Sequence, residues 1–213
     1  MHIPDGFLPA SVCAAGYVAT AAVAGYSIYK INKQEDPRED IPKAALMTAA
    51  FFVVSWIHIP VPPSSVHLIL GGLMGAMLGY YAFPAILIGL FFQAVMFQHG
   101  GLTTLGVNAI VMGVPALLAY YVFRLKNVGN HSGPAKTGLF GFLAGFGSIA
   151  VSVVLVVVVL LTFVPAGLDL SMERTATISL IIAHVPLMFI EGAFTALVVV
   201  FLLRVQPRLL GVA

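Results

Sequence analysis

The chemistry on offer begins at the first two residues. A chain starting Met1-His2 brings together a free α-amine, the His2 amide nitrogen and His2 Nδ1. The large side chain of His2 leaves Met1 in place, because methionine aminopeptidase favours small second residues. Amine and amide nitrogen close a five-membered chelate ring, and amide nitrogen and Nδ1 a six-membered one, so the three donors share a plane. That set suits Ni(II) and Cu(II), which favour square-planar nitrogen coordination and can displace the amide proton. It suits tetrahedral Zn(II) poorly. A fourth donor is needed, and His58, His67 and His99 are the candidates. His67 is preferred because the Pro62-Pro63 turn and a helix start at Ser64-Ser65 would fix it. A neutral imidazole is a common metal ligand, and it would need a partner for its other nitrogen.

The elements that must position these groups follow from composition. In 213 residues, 60% are hydrophobic and 8% charged, with mean hydropathy +1.04, against about 25% charged in soluble domains. The 80 residues from Ala44 to Phe123 contain no Asp, Glu, Lys or Arg. The pattern predicts an all-α polytopic membrane protein of one domain, not a β-barrel. Seven spans are expected, at 10–29, 44–59, 65–82, 84–98, 103–123, 138–163 and 175–203. Residues 65–98 as one helix would run roughly 50 Å, beyond a ~30 Å hydrocarbon core, so a hairpin is expected between Gly79 and Pro84. Residues 1–9 form an apolar tail, with Ile3, Pro4, Phe7, Leu8 and Pro9 around Asp5, and such a tail should dock inward. It lacks the basic start of a signal peptide, so 10–29 is expected to be a retained first helix.

Charge fixes the expected orientation. With the amino terminus extracytoplasmic and the carboxyl terminus cytoplasmic, the inner loops hold Lys30, Lys33, Arg38, Lys43, Arg124, Lys126, Lys136, Arg204 and Arg208. The outer loops then hold only Arg174, as the positive-inside rule requires. His58, His67 and His99 fall on the outer side with Met1 and His2, and His131 on the inner.

Polar residues within spans are functional candidates by default, here Gln93, Asn108, His184 and Glu191. His184 and Glu191 are seven apart and share a helical face. Gly71, Gly75 and Gly79, with Ala15 and Ala19, carry small-residue spacing that serves internal packing or a partner subunit. Cys13 alone makes no disulfide and reads as a core residue. No basic cluster interleaved with aromatics points to nucleic acid.

Three stretches, MHIPDGFLP, PPSSVHLILGG and QAVMFQHGGLTTLGVNAIVMG, resemble the CbiM/NikM family, the substrate-binding membrane subunits of energy-coupling-factor cobalt and nickel importers. The similarity extends over essentially the whole chain and is nearest to nickel-type members. It implies a metal site made of the Met1 amine, the His2 amide nitrogen, His2 Nδ1 and the His67 ring, with Ni(II) or Co(II) as cargo and no permanent cofactor. The loop His99–Gly106, including Thr103, and Asn108 resemble the element that packs against the tail, and Asp5, Ser65 and Gln93 join that supporting set. Implied partners are a transmembrane coupling subunit, two cytoplasmic ABC ATPases and a small accessory membrane subunit, expected as a separate chain because the sequence stops at Ala213. No phosphate-binding Gly-rich loop occurs, so the chain is expected to be no enzyme and to act in the prokaryotic cell membrane.

Two other readings stay open. A proton-coupled secondary carrier would use His184 and Glu191 as a relay, although no internal repeat of the kind common in such carriers stands out. A bis-histidine haem protein or membrane enzyme would need motifs that HExxH, CxxCH and GxSxG would announce, and none is present.

Overall fold

A chain this apolar has no water to satisfy its backbone and must pair N–H with C=O internally, which it does chiefly as helices. The computed structural model describes residues 2–61, 64–128, 133–163 and 170–210. The helices are α1 (Ala10–Ile31), α2 (Ile41–Val54), α3 (Gly71–Leu78), α4 (Ala82–Phe97), α5 (Leu105–Arg124), α6 (Pro134–Thr162) and α7 (Leu170–Val205). A two-stranded antiparallel ribbon, β1 (His58–Val61) with β2 (Ser64–His67), interrupts them. Ala10–Ile31, Gly71–Phe97, Leu105–Asn127, Pro134–Thr162 and Thr177–Val205 are each long and apolar enough to cross a membrane, and Ile41–Val54 is a shorter apolar helix. The protein is a multi-pass membrane protein. Large side chains such as Val18, Leu46 and Leu197 are turned away from the protein interior.

The segment Gly71–Phe97 folds back on itself. Gly79 takes φ 58° and ψ −122°, a conformation open to glycine and closed to residues with a Cβ. The result is visible at the far ends, where the rings of His67 and His99 lie with centroids 5.4 Å apart. A straight helix would hold these two residues roughly 48 Å apart at ~1.5 Å per residue. The two legs also match. Eight helical residues of α3 plus the non-helical run from His67 to the turn at Leu70 rise roughly 20–25 Å, close to the ~24 Å of the sixteen residues of α4.

Two expected spans differ from the structure. The third does not begin as a helix at residue 65: Ser64–His67 is a strand, and α3 starts only at Gly71. Ser64, Ser65 and β-branched Val66 are weak helix formers, and pairing with β1 satisfies their backbone, with His58 opposite His67. The second ends at Val54 rather than 59, because His58–Val61 supplies the facing strand. Pro62 and Pro63, the turn expected to fix His67, lie outside the described residues.

Helix α5 is the hub. Its Gly113 admits the ring of Phe83 from α4, whose atoms lie 2.5 Å from where a Cβ would stand, and Ala116 receives Gly75 of α3 backbone to backbone. At Gly106 the crossing with α1 is equally tight, with the Tyr17 nitrogen 2.5 Å from a Cβ position, and Thr20 Oγ1 donates to the Gly106 carbonyl at 2.7 Å. This crossing sets the start of α1, and with it the tail, beside the loop that precedes α5.

The small-residue spacing therefore resolves in two ways. Gly71, Gly75 and Gly79 are spent inside the fold: Gly71 against Ser148, Gly75 against α5 and Gly79 as the bend beside Tyr120. They form no partner interface, because a partner helix would have to displace α5 or α6. Ala15 and Ala19 remain exposed, lining a shallow apolar groove of about 450 Å³ with Val107 and Val159.

Candidate metal centre

The tail is held by its backbone as much as by its side chains. Ile3, 2% exposed, gives its N–H to Asn108 Oδ1 at 2.9 Å and accepts from Asn108 Nδ2 at 3.0 Å, so one side-chain amide clamps one residue in both directions. Thr104 Oγ1 donates to the same Ile3 carbonyl at 2.7 Å. Asp5 receives the N–H groups of Leu102 at 3.1 Å and Thr103 at 2.8 Å, and the Thr103 hydroxyl at 2.5 Å. Those bonds, the hydroxyl first, hold the Asp5 carboxyl below its ordinary range. Gly101 has room only for hydrogen, since a Cβ there would run into Asp5. Leu8 is buried, and Tyr17 OH bonds the Leu102 carbonyl.

This docking delivers His2 to two other imidazoles. His2, His67 and His99 each offer a ring nitrogen, and the three atoms lie within 4.8 Å of one another. Ring centroids are 5.3 Å apart for His2–His67 and 4.2 Å for His2–His99. The chain brings them from the tail, from β2 and from the turn after α4, where Gln98 and Gly100 take positive φ.

Hydrogen bonds fix which nitrogen each ring presents. Gln93, fully buried on α4, donates from Nε2 to Ser55 Oγ at 2.9 Å, so its Oε1 is turned to His2 Nε2 at 3.0 Å. His2 Nε2 therefore carries the proton, and Nδ1 carries the lone pair. Buried, His2 Nδ1 has no hydrogen-bond partner among the described residues. His67 Nδ1 donates to the Leu68 carbonyl at 3.0 Å, which assigns the lone pair to Nε2. Burial holds the His2 imidazole well below its ordinary value, with the neighbouring His99 and His67 rings acting the same way, so it is neutral at neutral pH. Neutral imidazoles with outer N–H groups engaged are the form in which histidines ligate metals.

Of the residues expected at this centre, His2, His67, His99, Gln93, Asn108, Asp5 and Thr103 converge. Ser65 lies on β2, two residues before His67, and Met1 lies outside the described residues. Thr104 belongs to the same network, within the His99–Gly106 loop expected to pack on the tail; Ser55 also belongs and was not singled out by sequence, since a hydroxyl at a helix end carries no signal beyond its type. His184 and Glu191 do not converge with these residues. His184 Nδ1 donates to the Leu180 carbonyl on its own helix at 2.7 Å. The Glu191 carboxylate instead accepts the backbone N–H groups of Ile69 and Leu70.

Relatives of this sequence align with two thirds or more of its length. Residues 2–209 match the family described as CbiM, the cobalt uptake substrate-specific transmembrane region. A metal transport protein described in Haemophilus influenzae is 43% identical over 68% of this chain and 74% of its own length. A fused nickel transport protein described in Archaeoglobus fulgidus, NikMN, is 31% identical over 97% of this chain and 67% of its own. A cobalt transport protein described in Methanocorpusculum labreanum, CbiM 2, is 33% identical over 99% and 92%. A crystal structure of a transition metal transporter superposes with a TM-score of 0.76 at 25% identity, covering 97% of this chain and 94% of that one. The chain belongs to the CbiM family of cobalt-uptake, substrate-specific transmembrane proteins.

Proposed function

We propose that this membrane component of cobalt and nickel transport captures Ni(II) or Co(II) as cargo in a square of four nitrogens. The ligands are the Met1 amine, the His2 amide nitrogen, His2 Nδ1 and His67 Nε2. One observation carries the reading: His2 Nδ1 is buried, has no hydrogen-bond partner among the described residues, and belongs to a ring packed against His67 and His99. A buried acceptor left unmatched costs about 1–3 kcal/mol, and a bound cation removes that cost. The chelate rings of Met1-His2 supply planarity without help from the fold, and the fold supplies the fourth corner.

In this proposal the centre faces outward, the amino terminus is extracytoplasmic and the carboxyl terminus cytoplasmic, in keeping with the distribution of Lys and Arg. The chain works as the substrate-binding part of an energy-coupling-factor importer. A transmembrane coupling subunit, two cytoplasmic ABC ATPases and a small accessory membrane subunit complete it. ATP is hydrolysed by the ATPases, and this chain contributes recognition.

The test is Ni(II) calorimetry on one preparation in two forms. One carries a cleavable extension before Met1, and the other is cut so that Met1 is the first residue. Binding that appears only after cleavage supports the proposal. Equal binding in both forms would move the site to imidazoles alone.

A further inference from the structure

The leg that carries His67 ends in a turn its own residues do not favour. Leu70 takes φ 55° and ψ 14°, the left-handed region that disfavours residues with a Cβ. Ile69 and Leu70 are both buried, so their N–H groups have no water to turn to. Both donate to Glu191 of α7: Ile69 to Oε1, and Leu70 to Oε1 at 2.9 Å and Oε2 at 3.1 Å. These groups open α3, where free N–H donors and the positive end of the helix favour a carboxylate.

Glu191 is 0% exposed, and a carboxylate inside a membrane protein is costly unless it is bonded. Its backbone is fixed from behind. Gly145 of α6 lies so close that a Cβ would stand 2.5 Å from the Glu191 carbonyl, and Gly72 of α3 packs against Gly145 in turn. A Cβ on Gly71 would stand 2.6 Å from Ser148 Oγ. Three helices thus meet at glycine contacts four and five residues beyond His67, and the Glu191 carboxylate at the junction holds the turn.

We propose that Glu191 is the positioning residue for His67. By holding the N–H groups of Ile69 and Leu70 it fixes the left-handed turn that directs the His67 leg toward His2, and so sets metal affinity without touching the metal. The inference rests on the metal-centre reading above. It assigns the buried carboxylate a role in geometry, in place of a proton relay with His184.

Ni(II) calorimetry on the full chain with an unextended Met1 tests it, using wild type, E191A, E191Q, H67A and the double variants. E191A weakens Ni(II) binding roughly 10- to 100-fold, the range for groups that orient a ligand. E191Q keeps one acceptor oxygen and loses less. In the H67A background either Glu191 change adds nothing, because its effect passes through His67. The Met1-His2 chelate survives in H67A, so the cycle stays measurable. Should E191A fail to fold, E191Q and E191Q/H67A form the same cycle. Unchanged affinity in the folded Glu191 variants, or a loss that adds in full to that of H67A, overturns the proposal. An H67A protein that binds like wild type removes the centre itself, a failure seen in that single variant alone.

Discussion

Gln93 Oε1 lies 3.0 Å from His2 Nε2, across 91 residues of sequence. Because Gln93 Nε2 is committed to Ser55, the amide cannot flip without breaking both bonds. The imidazole of His2 is thereby held in one tautomer, with the proton on Nε2 and the lone pair on Nδ1. Replacing Gln93 by Leu keeps the bulk and removes the acceptor. Ni(II) affinity should fall roughly 10- to 100-fold, with thermal stability of the metal-free protein much less changed. Calorimetry decides it, and an unaltered Kd would mean that the tail alone orients the ring.

Asn108 offers a second handle, since its hydrogen bonds go to Ile3 and Thr104. In N108A the buried Ile3 N–H loses its acceptor, at about 1–3 kcal/mol, while Thr104 still serves the carbonyl. Metal binding requires the docked tail, so affinity should drop by roughly tenfold or more. Amide hydrogen exchange at Ile3 should accelerate in parallel. Weakened metal binding with a fully protected Ile3 would break the link between docking and capture.

Gly101 tests the same docking by volume. A Cβ at this position would run into the Asp5 carboxylate and stand 2.6 Å from the Asp5 backbone nitrogen. G101A should expel the tail and weaken Ni(II) binding. Because the backbone nitrogen is part of the collision, shortening Asp5 to Ala in the same chain should not restore affinity. Full rescue by D5A would show that the side chain alone made the contact.

The helical membrane class was legible from the uncharged stretch Ala44–Phe123, and the α3–α4 hairpin from length alone. The Met1-His2 pair and the three outer histidines were visible as types before any geometry. The strand at Ser64–His67 was not legible, because an apolar run beside a Pro-Pro turn reads equally well as a helix start. The alternative of a His184–Glu191 relay rests on spacing, which reports which residues share a face, not which element packs on it. That packing is settled by the glycine contacts among α3, α6 and α7, whose Cβ-free surfaces leave no trace in a hydropathy profile. Gly71, Gly75 and Gly79 left internal packing and a partner interface both open for the same reason: close approach is legible, the identity of the neighbour is not.

Acid should act on the centre in two separable steps. Undocked, His2 titrates near its ordinary 6.5, whereas docked it does so well below, chiefly through burial. The undocked tail therefore binds more protons, so docking is undiminished above about pH 6.5 and weakens as pH falls below it, until the docked ring itself protonates. Hydrogen exchange at Ile3 in the metal-free protein should report this loss on going from pH 7 toward pH 5. Metal binding begins to suffer earlier. A protonated α-amine must lose its proton to ligate, and the amide proton leaves as well, so Ni(II) affinity should decline by about 100-fold per pH unit below neutrality. Acetylating the Met1 amine abolishes the amine's share of that slope along with its ligand. Protection of Ile3 that stays flat from pH 7.5 to 5 would contradict the docked-neutral His2, and a pH-independent Kd would contradict the amine and amide as ligands.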